Sequence, residues 1–222
     1  MIPDLTPIFE KYEKLRDESD RAFDSIARAH AGCVTCKKGC SDCCHALFDL
    51  SLVEAMYINK AFEKAFDYGA ERSAVITRAS ETDRRLTRLK RELYRAEKDG
   101  ENLSTIMQRA ASERIPCPLL SSDNVCMLYD ARPITCRLYG VPTEIGANGH
   151  VCGFSAFEKG VTSPTVHLDK IQARLAELSA EIGRVCKSRF TELDQVFVPI
   201  SMAILTRYDE EYLGIGEPKT ED

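Results

Sequence analysis

The stretch Cys33-Val34-Thr35-Cys36-Lys37-Lys38-Gly39-Cys40-Ser41-Asp42-Cys43-Cys44 places five cysteines within twelve residues. Short spacers between thiols form tight loops, so neighbouring thiolates converge on one centre at little loop-closure cost. Gly39 permits a positive φ beside Cys40, which close wrapping of backbone around a metal requires. The adjacent pair Cys43-Cys44 adds a constraint. In extended chain, consecutive side chains point to opposite sides. The pair therefore shares one centre only through an unusual turn; otherwise it serves two metal ions, or one cysteine is a bystander.

Working outward, the chain holds ten cysteines in 222 residues. Cys117, Cys126, Cys136 and Cys152 form a second group, and Cys186 stands apart. Disulfide frameworks belong to small secreted domains, and the acidic, amphipathic N-terminus lacks the basic and apolar regions of a secretory signal. A cytoplasmic location follows as the expectation. In a reducing compartment closely spaced thiols are metal ligands. From Pro116 to Pro164 glycine and proline become dense and helical periodicity disappears. A segment this long needs a staple, and metal ligation supplies one. Asp123-Asn124 signals a turn before Cys126, and Pro133 bends the chain before Cys136. Arg132 and Arg137 are candidate counter-charges for a thiolate-rich site, with a structural ion pair as the alternative. His150 reads as an ordinary loop histidine. Cys33 and Cys186 lack partners at diagnostic spacing and read as spectators.

The remainder is helical, which makes the fold class mainly α: a helical domain with a long irregular cysteine-rich segment stapled by metal. We read residues 1–222 as a single domain, with a cysteine-cluster core at about 33–160 and flanking helices at 7–30 and 168–186. Ile8, Tyr12, Leu15, Phe23 and Ile26 give the first helix its apolar face. Ser51-Leu52-Val53-Glu54 reads as a capping box opening a helix toward Phe66. A long charged helix over 71–99 buries Leu86, Leu89, Leu93 and Ala96 and stops at Gly100. Its row of Arg84, Arg88, Arg91 and Arg95 reads as a solvated face laced with Glu81, Asp83 and Glu92. A short helix follows at 102–114. The helix over 168–186 carries a seam of Leu168, Ile171, Leu175, Leu178, Ile182 and Val185. Phe197-Val198-Pro199-Ile200 enters a short helix at Pro199. A formal charge of −5 gives no reason to expect nucleic acid. No run of eighteen apolar residues offers a membrane span.

Cys36-Lys37-Lys38-Gly39-Cys40-Ser41-Asp42-Cys43-Cys44, then Cys117-Pro118-Leu119-Leu120, then Cys126-Met127-Leu128-Tyr129-Asp130-Ala131-Arg132-Pro133-Ile134-Thr135-Cys136-Arg137-Leu138-Tyr139-Gly140 resemble the signature of the YkgJ-type CxxCxxCC cysteine-cluster family. That largely bacterial family is described as zinc- or iron-chelating. The resemblance covers about residues 33–160, and His150-Val151-Cys152-Gly153-Phe154 is similar to the family's tail. Three residues rather than two separate Cys36 from Cys40, a spacing that relatives share. The resemblance implies metal binding through Cys36, Cys40, Cys43, Cys44, Cys117, Cys126, Cys136 and Cys152, and assigns no catalytic residue. Through a distant relative, the flagellin lysine methylase, it also implies an iron–sulfur enzyme that uses S-adenosylmethionine to modify protein side chains. A cluster likeness does not carry a substrate.

Eight thiolates satisfy two closed zinc sites, the pattern of a structural module that acts on a partner protein. They also satisfy a [4Fe–4S] cluster with cysteines left for a second centre. The adjacent pair and the Cys36-x3-Cys40-x2-Cys43 spacing favour iron–sulfur clusters. The spacing also occurs in radical S-adenosylmethionine enzymes, but those are strand–helix barrels, and this chain shows no such alternation.

Overall fold

Helical periodicity in the sequence becomes seven α-helices among the described residues of the computed structural model, which are 1–146, 148–158 and 163–216. Residues 159–160, the last two of the expected cysteine core, lie outside them. The helices are α1 (Thr6–Ala29), α2 (Leu52–Ala65), α3 (Ala70–Lys98), α4 (Leu103–Ser112), α5 (Ile134–Leu138), α6 (Leu168–Cys186) and α7 (Ile200–Leu205). Five short strands accompany them: β1 (Asp49–Ser51), β2 (Thr143–Ile145), β3 (Asn148–His150), β4 (Val166–His167) and β5 (Phe197–Pro199). The chain is mainly α, as its periodicity predicts. None of the described helices is long and apolar enough to cross a membrane.

Helix α1 turns Ile8, Phe9, Tyr12, Leu15 and Ile26 toward α6, which answers with Leu175, Leu178 and Ile182. Each such side chain, removed from water, stabilises the fold by about 1.5–3 kcal/mol. Val185, expected in the α6 seam, is exposed, and Cys186 takes the buried position one residue on. A second core forms where α2 and α3 meet α7: Ile58, Phe62, Val75, Ala79, Ala203 and Ile204 are all buried. Antiparallel β1 and β5 pair Asp49 with Pro199 and Ser51 with Phe197, and each strand runs directly into its helix, α2 or α7. On the far side β3-β2-β4 form a small mixed sheet, with β2–β3 antiparallel and β2–β4 parallel.

Three details depart from the sequence reading. The α3 stripe is only partly covered, since Leu89 is buried while Leu86, Leu93 and Ala96 are half-buried. The Pro116–Pro164 segment is not uniformly irregular; it contains α5 and β2–β3, elements of one turn or three residues that are too short to show a period. The capping box is incomplete. The Ser51 hydroxyl accepts from no amide of α2 and instead donates to Glu54 Oε2 at 3.2 Å.

Candidate metal centre

Helix α1 delivers the first cysteine segment. After Ala29 the backbone closes through Cys33 N–H to His30 C=O (2.8 Å), and the segment is then tied to the region after Cys152. Ala156 N–H donates to Cys33 C=O at 2.9 Å, and the Thr35 hydroxyl donates to Phe154 C=O at 2.8 Å. Gly39 has φ +94°, the left-handed turn expected beside Cys40. Residues Asp42–His45 then form a 3-10 turn, and this resolves the adjacent pair. The turn does not send alternate side chains to opposite sides as extended chain does. Cys43 and Cys44 are both buried and pack together with Cys136.

The second segment is joined to the first through its backbone: Cys117 N–H donates to Cys44 C=O at 2.7 Å. A tight loop follows, closed by Met127 N–H to Leu119 C=O (2.8 Å) and by Asn124 at φ +58°, so that Leu120 faces Cys126. Cys136 arrives on α5. The start of that helix is held from across the fold, where the buried Glu54 carboxylate of α2 accepts the Ile134 N–H at 3.0 Å.

Six thiols line one cavity of about 30 Å³: Cys40, Cys43, Cys44, Cys117, Cys126 and Cys136. Tyr129 and Arg132 complete part of its wall, with the Arg132 guanidinium 3.6 Å from the Tyr129 ring centre. The other two predicted ligands lie outside that lining. Cys36 packs against Gly140, while Cys152 Sγ sits 3.6 Å from Asp42 Oδ2. Asp42 is itself ion-paired with Arg114. Among the described residues no three His, Cys, Asp or Glu side chains stand as a finished set of metal ligands. The convergence is that of a thiol-lined cavity, and its donor set suits a soft metal or cluster.

Electrostatics in the cavity are those of crowded thiols. Hydrogen bonds from the Cys136 and Cys44 thiols lower Cys43 well below the ordinary thiol value, aided by Arg132, and the two donors are pushed up in turn. Burial raises Cys117 to about 12 and Cys36 to about 11, with the neighbouring Cys40 and Cys43 adding to the latter. Burial also raises Cys126 and Cys152. A cation entering such a site replaces these protons, so uptake releases them.

Arg137 does not spend its donors on the thiols. Its Nη1 donates to Asp20 Oδ2 at 2.7 Å, Nε to Arg132 C=O at 2.8 Å, and Nη2 to Asp130 C=O. It fixes the Asp130–Arg132 loop against α1. Cys186 lies buried in the α1–α6 core, Cys33 packs on the edge of that core, and His150 is exposed on β3. Asp42, Arg114, Tyr129 and Glu54 were not expected at the site. Asp42 stands inside the cysteine motif, but no spacing rule announces that it faces Cys152.

Glu54 carries a testable consequence. Burial raises its carboxyl above the usual range, outweighing the hydrogen bonds from Ile134 and Ser51. The folded chain thus holds this proton more tightly than the unfolded chain. Its contribution to stability is complete below the ordinary carboxylate range and is lost as pH rises through the raised folded value. Glu54→Gln, which keeps an acceptor for Ile134, is expected to remove that part of the pH slope in denaturant titrations. Glu54→Ala leaves the Ile134 N–H unpaired and is expected to cost about 1–3 kcal/mol. An unchanged slope in Glu54→Gln would exclude this carboxyl as its source.

The family model "CxxCxxCC: Putative zinc- or iron-chelating domain" matches residues 35–153. No curated protein and no solved structure matches the chain.

Proposed function

The chain belongs to the CxxCxxCC family and binds metal through its cysteines, and from that premise we propose that it holds a polynuclear metal–thiolate centre, an iron–sulfur cluster of the [4Fe–4S] type. Cys40, Cys43, Cys44, Cys117, Cys126 and Cys136 are its inner donors, and Cys36 and Cys152 are the outer donors that a second centre would use. One observation carries this reading: six thiols from three stretches of chain line a single cavity. A closed mononuclear site uses four. The adjacent Cys43 and Cys44 turn into the same cavity, which suits neighbouring metal atoms of one cluster better than a single tetrahedral ion.

A bound cluster supplies one-electron chemistry. The chain's own residues exclude water, hold the thiols in register and place the Arg132 charge beside a negatively charged ligand shell. Arg132 is already the cation that favours thiolate at Cys36, Cys43 and Cys126.

A second reading is a two-zinc module that acts on a partner protein, favoured by the count of cysteines: eight thiolates complete two closed four-coordinate sites with none left over. The enzyme reading, transfer chemistry with S-adenosylmethionine, rests on a cluster likeness alone, which carries no substrate.

Anaerobic purification followed by a visible spectrum and by iron, zinc and acid-labile sulfide analysis tests the reading. Brown protein with iron and sulfide in matching amounts is the expected result. Stoichiometric zinc without sulfide, from cells grown without added zinc, would replace the iron reading with the two-zinc one.

A further inference from the structure

Asp42 is the only carboxylate between Cys33 and Cys44, and its two oxygens are used differently. Arg114 Nη2 pairs with Oδ1 and also donates to the Asp42 C=O at 3.1 Å, which fixes the carboxylate in place. The other oxygen, Oδ2, faces Cys152 Sγ at 3.6 Å.

That separation is the edge of a tetrahedron built on one metal ion. With metal–sulfur and metal–oxygen bonds of about 2.3 and 2.0–2.2 Å, a tetrahedral angle sets the two donors about 3.5–3.7 Å apart. A thiol–carboxylate hydrogen bond spans the same distance, and charge separates the two cases. Cysteine binds metal as thiolate, so an ion on Cys152 displaces the proton that the thiol donates to Asp42. Two anions would then face each other at contact distance, with the Asp42 side chain only 10 % exposed. An ion bound to both removes that repulsion.

Cys36 is the third donor. It packs against Gly140, and its thiolate and that of Cys152 repel one another. The three side chains are not a finished set as they stand, so the ion has to draw Cys36 in. Two thiolates and one carboxylate around a divalent ion leave a single negative charge, which the Arg114 guanidinium offsets. Three protein ligands leave a fourth position of a tetrahedral ion open, and a mixed sulfur–oxygen set suits zinc.

We propose that Asp42 is a metal ligand, and that Cys36, Cys152 and Asp42 form a second site for a divalent ion such as zinc, with Arg114 orienting the carboxylate. With its open position, this site exchanges its ion more readily than the enclosed inner thiols. The inference rests on the reading of Cys36 and Cys152 as outer donors, and it holds whichever metal the inner thiols carry.

Cobalt(II) serves as the probe, titrated into the full chain after treatment with a mild chelator and read as a difference spectrum. One cobalt per chain should bind, with the charge-transfer band of thiolate coordination. Asp42→Ala and Asp42→Asn should each weaken it at least about a hundredfold, beyond what loss of an orienting partner costs. Asparagine is nearly the same size and still accepts a hydrogen bond from the Cys152 thiol, so the Asn variant separates ligation from positioning. Arg114→Ala should weaken cobalt about 10–100-fold. Iron, sulfide and the metal that resists the chelator should be unchanged in all three variants. The proposal is overturned if the unaltered protein takes up no cobalt, or if Asp42→Asn loses less than about a hundredfold. Cys152→Ser tells the two failures apart: unchanged cobalt binding there removes the outer-donor premise, whereas loss there with none in Asp42→Asn removes Asp42 alone.

Discussion

Replacing Cys43 with serine is expected to strip the protein of metal while leaving its helices folded. Cys43 is the hub of the inner thiols: buried, in contact with Cys44 and Cys136, and the acceptor of hydrogen bonds from both. Serine preserves the shape and removes the soft donor that zinc and iron–sulfur centres require. Since even the partners that orient metal ligands are worth 10–100-fold in affinity, loss of this ligand should cost at least about a hundredfold. The two large cores contain none of the inner thiols among their fully buried members, so the fold does not depend on Cys43. Metal per chain should fall toward zero while far-ultraviolet circular dichroism stays at the wild-type value. Cys33→Ser and Cys186→Ser provide the contrast, and both should keep full metal content. A fully loaded Cys43→Ser protein would remove Cys43 from the ligand set, and loss of metal from either control would add that cysteine to it.

Gly140→Ala should be among the most disruptive single changes that leave every cysteine in place. A methyl group at position 140 would lie 2.3 Å from Cys36 Cβ, 3.1 Å from its Sγ and 3.3 Å from Phe23 Cε2. The first of these atoms is anchored to backbone and cannot swing aside. Nor can the segment around Cys36 slide freely, because the Thr35–Phe154 and Ala156–Cys33 hydrogen bonds tie it down. Overpacking of this kind costs about 1–3 kcal/mol, which at this chain length lowers Tm by about 2–12 °C. Cys36 should at the same time become more reactive toward a thiol-alkylating reagent. Gly32→Ala, where nothing lies within 4 Å of the added methyl, should melt close to wild type. A Gly140→Ala protein with wild-type melting and wild-type thiol reactivity would contradict the close packing of Gly140 on Cys36.

Sequence periodicity is a good guide wherever a helix is long enough to display it. The expected helices 7–30, 71–99 and 168–186 fall within a residue of α1, α3 and α6 at each end. Helix α5 is invisible to it because five residues hold barely more than one turn. The cysteine motifs point to the right chemistry, yet they do not show how Cys43 and Cys44 share a cavity. That depends on a 3-10 turn, which spacing alone does not specify. Glu54 is legible as a capping residue for α2, but its carboxylate also reaches eighty residues onward to α5, a contact of tertiary origin. The spacing of Leu86 and Leu93 predicts core. Periodicity tells which face of a helix is apolar, and only the fold tells whether another element covers it.

The backbone hydrogen bond between Cys117 and Cys44 changes what metal binding has to accomplish. In a small zinc domain the ligands are scattered until the ion arrives, so most of the binding free energy goes into ordering the chain. Here peptide groups and two apolar cores already hold the two cysteine segments side by side. Bringing the two backbone segments together is therefore not left to the metal, which has only to turn the thiols into a finished ligand set, and correspondingly more of the thiolate–metal interaction is left as affinity.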